Sequence, residues 1–194
     1  INTSGVGVID ETIKIAAEFK IGDKIIINGS IADHGMAIMS RRQGLDFASD
    51  IASDCAALNG LLAEVLSINP AIRCMRDPTR GGLSATINEW ANFYKLGIDI
   101  KEEHILVHDN VRGICELLGL DPLHVANEGK VLIMCAAEDA ERVVAKMREH
   151  PLGKDAAIIA EVQSLDESYV TMTTVFGGVR RVDWLSGEQL PRIC

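Results

Sequence analysis

Aromatic side chains make up only 4% of the residues while hydrophobic residues make up 47%, so the core has to be aliphatic. No apolar stretch approaches the ~20 residues a membrane helix needs, and no signal-peptide pattern opens the chain. Positive charge is in short supply: 19 Lys and Arg stand against 28 Asp and Glu, a net charge of −9, with no basic run and no aromatic–basic interleaving. A nucleic-acid or membrane-surface partner is therefore not expected. Cys-x-x-Cys is absent, and the cysteines are odd in number: Cys55, Cys74, Cys115, Cys135 and Cys194. The first four sit in apolar patterns, as buried free thiols do, which points to a reducing cytoplasm and sets Cys194 apart. Walker and dinucleotide glycine spacings are missing too.

What is present is an alternation of strands and helices. Lys24–Asn28 reads as a short buried strand, followed by a short helix opened by Asp33-His34-Gly35 and a polar loop at 41–47. From Asp50, the apolar positions Ile51, Cys55, Leu58, Leu62 and Val65 keep helical spacing until Asn69-Pro70. A strand at 71–75 leads to Asp77-Pro78-Thr79-Arg80-Gly81-Gly82 and a helix carrying Leu83, Ile87, Trp90 and Tyr94 that stops near Gly97. Further strands are expected near 98–101 and 131–136, and helices at 111–118 and from 138 to about 150. Strands 156–162 and 169–174 read as a final pair, and 179–183 as one more strand. The fold class is mixed α/β (α+β): a mixed sheet with flanking helices, ending in a flexible tail. Residues 1–9 read as the last strand of a preceding domain, 10–185 as the domain proper and 186–194 as a mobile tail. The start at Ile1 suggests a fragment whose N-terminal portion is absent.

Four stretches can carry chemistry. In Asp77–Gly82 a strand runs into two glycines opening a helix, so free backbone N–H groups and the positive helix end can cradle phosphate, with Thr79 and Arg80 as added donors. The same glycines also suit an ordinary strand–helix turn. Asp33 is read as a helix N-cap, and His34 either as a proton carrier or as a hydrogen-bonded turn residue. In Asn127-Glu128-Gly129-Lys130, Glu128 is a general base at the mouth of a sheet or a turn residue pairing with Lys130. His104 and His108 are four apart, but Ile-Leu-Val between them reads as extended, so no metal site is expected in this chain. The fourth stretch is the terminus, Leu190-Pro191-Arg192-Ile193-Cys194. Pro191 and the preceding Ser-Gly-Glu-Gln read as loop, and an extended arm from Glu188 reaches roughly 25 Å. Its sulfur is either a travelling group or part of a frayed end.

Together Asp33-His34-Gly35, Asp77–Gly82, Asn127–Lys130, Pro151-Leu152-Gly153-Lys154-Asp155-Ala156 and the closing Pro191-Arg192-Ile193-Cys194 resemble the HypE family of hydrogenase maturation factors, within the PurM-like ATP-binding superfamily. The resemblance implies a PurM-like C-terminal domain. The family's N-terminal domain, with its Mg²⁺-binding carboxylates, a lysine and most of a homodimer interface, is then missing. It also implies ATP-dependent dehydration of a carbamoyl group on the C-terminal cysteine, here Cys194, giving a thiocyanate whose cyanide goes to the iron of [NiFe] hydrogenase. The implied partners are the carbamoyltransferase HypF and the HypC–HypD complex.

On that scheme Asp77, Thr79, Arg80, Gly81, Gly82 and Asn127 face nucleotide or phosphate, Glu128 takes the nitrogen protons with His34 as second choice, and Pro191 and Arg192 belong to the delivering tail. Two rivals remain at this level. One is a PurM-like enzyme acting on a small molecule with ATP, which needs no terminal cysteine. The other is a non-catalytic scaffold that docks through its tail.

Overall fold

The computed structural model describes residues 4, 6–8, 13, 15–44 and 51–184. The expected 1–9 strand lies largely outside these residues, and the 186–194 tail with Pro191, Arg192 and Cys194 lies wholly outside them.

Strand β1 (Lys24–Ile27) shows why the fold has two cores. Alternate side chains of a strand point to opposite faces, and Ile25 and Ile27 enter one hydrophobic cluster while Ile26 enters the other. A strand covered on both faces reads as a continuous apolar run, which is what Ile-Ile-Ile is. The remaining strands are β2 (Ile72–Arg76), β3 (Leu96–Lys101), β4 (Leu132–Cys135), β5 (Ala157–Leu165), β6 (Tyr169–Thr173) and β7 (Val179–Arg181). They form one sheet in the order β2-β4-β1-β5-β3-β6-β7, antiparallel everywhere except the parallel β3–β6 pairing.

Helices α1 (Asp33–Arg42), α3 (Gly82–Tyr94) and α4 (Asp109–Leu118) cover one face, burying Met36, Leu83, Ile87, Trp90, Val111 and Ile114 against it. Helices α2 (Asn59–Ser67) and α5 (Ala137–Glu149) cover Ile26, Ile72, Ile133 and Cys135 on the other face with Leu61, Val65, Val143 and Met147. Near the entrance of β1, the buried Asp23 carboxylate accepts from Arg73 Nε at 2.9 Å and Nη2 at 3.2 Å, tying β1 to β2 across the sheet.

Three expectations are corrected. The helix from Asp50 begins only at Asn59: residues 51–58 are irregular, although Ile51 is buried as its spacing demanded. That segment is drawn instead into contact with the Asn127–Lys130 turn, so closely that a Cβ on Gly129 would lie 1.8 Å from the Asp54 carbonyl oxygen. Strands β5 and β6 do not pair with each other, because β3 lies between them. Gly97 makes that possible, since Ser164 Oγ and the Tyr169 ring crowd the place a side chain would take, within 2.2–2.6 Å of an added Cβ. The last strand stops at Arg181, not Asp183, because the carbonyls of Val182 and Asp183 are taken by α3. Smaller shifts are at α1, which runs on to Arg42, and at α3, which ends against the left-handed Lys95 rather than at Gly97.

Candidate functional site

At the exit of β1, Asn28 organises two neighbouring segments. Its Nδ2 donates to Gly129 O at 3.2 Å and Leu152 O at 2.9 Å, and its Oδ1 accepts from Val131 N at 2.8 Å. A cavity of about 360 Å³ opens beside it, lined among others by Ser30, Asp33, Asp54, Cys55, Lys130 and Lys154. Three of the stretches singled out in the sequence, 33–35, 127–130 and 151–155, therefore meet at one place.

Asp33 is the first residue of α1, not its cap. The N-cap is Ala32, with a left-handed φ of 75° and no side-chain cap bond. Asp33 instead accepts from Ser30 Oγ and lies 2.9 Å from His108 Nδ1. His108, four residues beyond His104, is thus a partner of Asp33, while His104 Nδ1 lies 2.9 Å from Ile158 O. His34 is buried, its Nδ1 2.9 Å from Ser53 Oγ, and its Nε2 has no partner among the described residues.

Asn127 is the bridge between this cavity and the Asp77–Gly82 loop. Its Oδ1 accepts from Ala32 N at 2.8 Å, and its Nδ2 donates to Pro78 O at 2.9 Å and Val125 O at 3.2 Å. With 1% of its surface exposed and its amide committed, Asn127 sets the position of both loops and does not itself reach into solvent. Asp77 and Arg80 are exposed and Thr79 is half-buried. Gly81 and Gly82 have φ of 76° and 64°, and a Cβ on Gly82 would meet the carbonyl oxygens of Val125 and Leu123 at 2.5 and 2.6 Å. The glycine pair is thus required by backbone shape and by the close approach of the 122–125 turn. It still leaves the start of α3 beside Thr79.

Glu128 follows Asn127 directly. Its backbone N–H donates to Asp54 Oδ1 at 3.1 Å, and Asp54 Oδ2 pairs with Lys130 at 3.2 Å. Lys130 is therefore not the partner of Glu128, whose carboxylate has no side-chain partner among the described residues. Asp54, with a side chain only 4% exposed, went unrecognised in the sequence because it sat inside an apparent helical repeat. Asn28, an amide directly after a strand and before Gly-Ser, is the one missed residue that carried a legible signal.

Burial pushes three thiols up: Cys74 to about 12, Cys115 to about 11 and Cys135 to about 12. A thiol held protonated is a poor nucleophile, so these three are structural. Cys55, expected to be buried like the other three, is instead exposed at the cavity, because the irregular 51–58 segment does not turn it into the core as a helix would.

The comparisons with known proteins place this architecture in a class first. The family described as AIR synthase related protein, C-terminal domain, matches residues 20–173, and the chain belongs to it. Within that class, the chain is similar over its whole length to a carbamoyl dehydratase HypE. It is 53% identical over 195 residues to the Azotobacter vinelandii protein of that name, covering 100% of this chain and 57% of the relative. The fold is also that of a HypE crystal structure in complex with ATP, with a TM-score of 0.85 and 43% identity, covering 92% of this chain and 54% of that one. A HypE–HypF complex matches with a TM-score of 0.82 and 43% identity over 87% of this chain and 55% of that one. The chain spans a little over half the length of the relatives it matches. No helix among the described residues is long and apolar enough to cross a membrane.

Proposed function

We propose that this chain is the C-terminal portion of an ATP-dependent carbamoyl dehydratase that acts on a carbamoyl group carried by its own Cys194. The reaction converts the thiocarboxamide to a thiocyanate, which supplies cyanide for the iron of [NiFe] hydrogenase. The observation that carries this reading is the joining of both catalytic stretches by Asn127: one buried amide holds the His34 loop and the Pro78 loop in register, and Glu128 is the next residue.

An amide oxygen is a poor leaving group, and ATP supplies the phosphoryl group that makes it a good one. The carbamoyl oxygen gains phosphorus as ADP leaves. The C–O bond then breaks to release phosphate while nitrogen gives up both protons and the nitrile forms. Asp77, Thr79, Arg80 and the Gly81-Gly82 backbone would face the phosphates, where positioning and charge neutralisation dominate such transfers. The half-buried Thr79 hydroxyl and the exposed Arg80 fit that role. Glu128 is the proton acceptor, its backbone held by Asp54 and its carboxylate uncommitted; His34 Nε2 is the second candidate.

Mg²⁺ accompanies ATP in this reading. Among the described residues no three His, Cys, Asp or Glu side chains gather to hold a metal, so no step is derived through it. HypF as carbamoyl donor, the HypC–HypD complex as cyanide acceptor and a homodimer of the full-length protein belong to the same proposal, the first supported by the solved HypE–HypF complex.

Glu128→Gln in the full-length protein tests the assignment. The dehydration rate should fall by about 100-fold or more, as for loss of a general base, with ATP binding retained. An unchanged rate removes Glu128 from the mechanism.

A further inference from the structure

The turn that carries Glu128 is tied to its neighbours through several backbone groups, and most of the ties are neutral. Asn28 Nδ2 donates to Gly129 O at 3.2 Å, Asn28 Oδ1 accepts from Val131 N at 2.8 Å, and the Asn127 N–H donates to Pro78 O at 3.3 Å. The remaining tie carries a charge: Asp54 Oδ1 accepts from the Glu128 N–H at 3.1 Å. An asparagine oxygen would accept that bond as well as a carboxylate oxygen does, so the bond alone does not account for an aspartate.

The second oxygen does. Asp54 Oδ2 makes no hydrogen bond among the described residues and lies 3.2 Å from Lys130 Nζ, in an ion pair whose side chains are 4% and 11% exposed. A buried ion pair is a poor source of stability, because taking both charges out of water offsets most of their attraction. Its effect here is on a neighbour. Lys130 stands two residues beyond Glu128, at most about 7 Å along the backbone, and Gly129 between them has no room for a side chain. Glu128 is half-buried and its carboxylate has no partner among the described residues. Of the other carboxylates lining the cavity, Asp33 is bonded to Ser30 and His108, and Asp155 is exposed. An ammonium released by Asp54 would thus find Glu128 both near and uncommitted. A carboxylate paired with an ammonium is a weaker base, because the positive charge favours its ionised form.

We propose that Asp54 is a positioning residue that reserves Glu128 for proton transfer: one oxygen fixes the Glu128 peptide, and the other holds the Lys130 ammonium off the Glu128 carboxylate. The inference rests on the proposed function for the role of Glu128, but not for the pairing of Lys130.

Asp54→Asn in the full-length protein keeps an oxygen for the Glu128 N–H and removes the charge. In the crystal structure of this variant, Lys130 Nζ should lie within about 4 Å of the Glu128 carboxylate. ATP-driven water loss from the protein's own carbamoylated Cys194 should slow by about tenfold or more, with ATP affinity unchanged. Adding Lys130→Met should restore the rate to within about twofold, since a neutral pair of similar size is tolerated. Adding Asp54→Asn to Glu128→Gln should slow the reaction no further, because both changes act on one step. A Lys130 that stays in place or turns to Asp33 or Asp155 overturns the inference, as does an unchanged rate in Asp54→Asn or a loss that Lys130→Met does not restore. If Glu128→Gln is slow and Asp54→Asn is not, this inference alone fails; if Glu128→Gln is itself unchanged, the base assignment fails and this inference with it. Should Asp54→Asn not fold, the Asp54→Asn/Lys130→Met variant decides. A near-full rate upholds a carboxylate needed only against Lys130, and a slow one overturns it.

Discussion

Gly82 shows how much can rest on one missing side chain. Its φ of 64° suits glycine, and the carbonyls of Leu123 and Val125 occupy the space a methyl would need. Gly82→Ala should therefore cost at least about 2 kcal/mol, from the left-handed backbone and the displaced turn together; a chemical-denaturation midpoint that does not move contradicts this. Asn127 acts on the same junction from the polar side. Asn127→Ala takes the side-chain amide from Ala32 N–H, Val125 O and Pro78 O, the last keeping only the Asn127 backbone N–H at 3.3 Å, and should destabilise by about 1–3 kcal/mol, read from the same denaturation curves. The thiols separate by environment. Native alkylation near pH 8 should modify the exposed Cys55 quickly and spare Cys74, Cys115 and Cys135 until the protein unfolds. Rapid native labelling of any of these three means their burial has been misjudged.

At the scale of elements, β3 and β6 carry a polar cluster in which Asp99 accepts from Lys101 at 2.7 Å, Thr171 at 2.8 Å and Thr173 at 2.9 Å. Burial alone would raise the Asp99 pKa, but the bonds from Lys101, Thr171 and Thr173 outweigh it and hold the carboxyl below its ordinary range. A carboxylate whose folded pKa is depressed stabilises the fold above its unfolded value and loses that contribution as pH falls through the folded one. The stability gap between the unaltered protein and Asp99→Asn should therefore be full at neutral pH and narrow below about pH 4, measured by urea unfolding across that range; a gap independent of pH contradicts it. Elements of this kind were legible where periodicity is strong. The Ile-Ile-Ile strand and the helix with Leu83, Ile87 and Trp90 stand where their spacing put them. The pattern failed at 51–58, where apolar spacing mimicked a helix while Asp54 was needed by a turn over 70 residues away in sequence. It failed again at β5 and β6, since adjacency in sequence suggested a pair and only the space left by Gly97 lets β3 lie between them. Contacts set by distant segments leave no local signature.

For the whole molecule, two cores and a single sheet bring sequence stretches more than 90 residues apart to one end of β1. The stretches with chemical potential were legible because their residue types are unusual for turns: glycine pairs, a histidine at a helix start, a carboxylate before a buried strand. Their mutual placement was not legible, because it depends on which distant backbone groups the Asn28 and Asn127 amides reach, and residue type alone does not name those partners. The account as a whole holds that Cys194 carries the reacting group and that the domain presents it to activated phosphate. The most direct measurement is the intact mass of the full-length protein after incubation with carbamoyl donor, transferase and ATP. The carbamoylated species should lose about 18 Da, one water, from the peptide ending in Cys194. A carbamoylated peptide that keeps its mass in the presence of ATP, or a loss located on any other residue, contradicts the account.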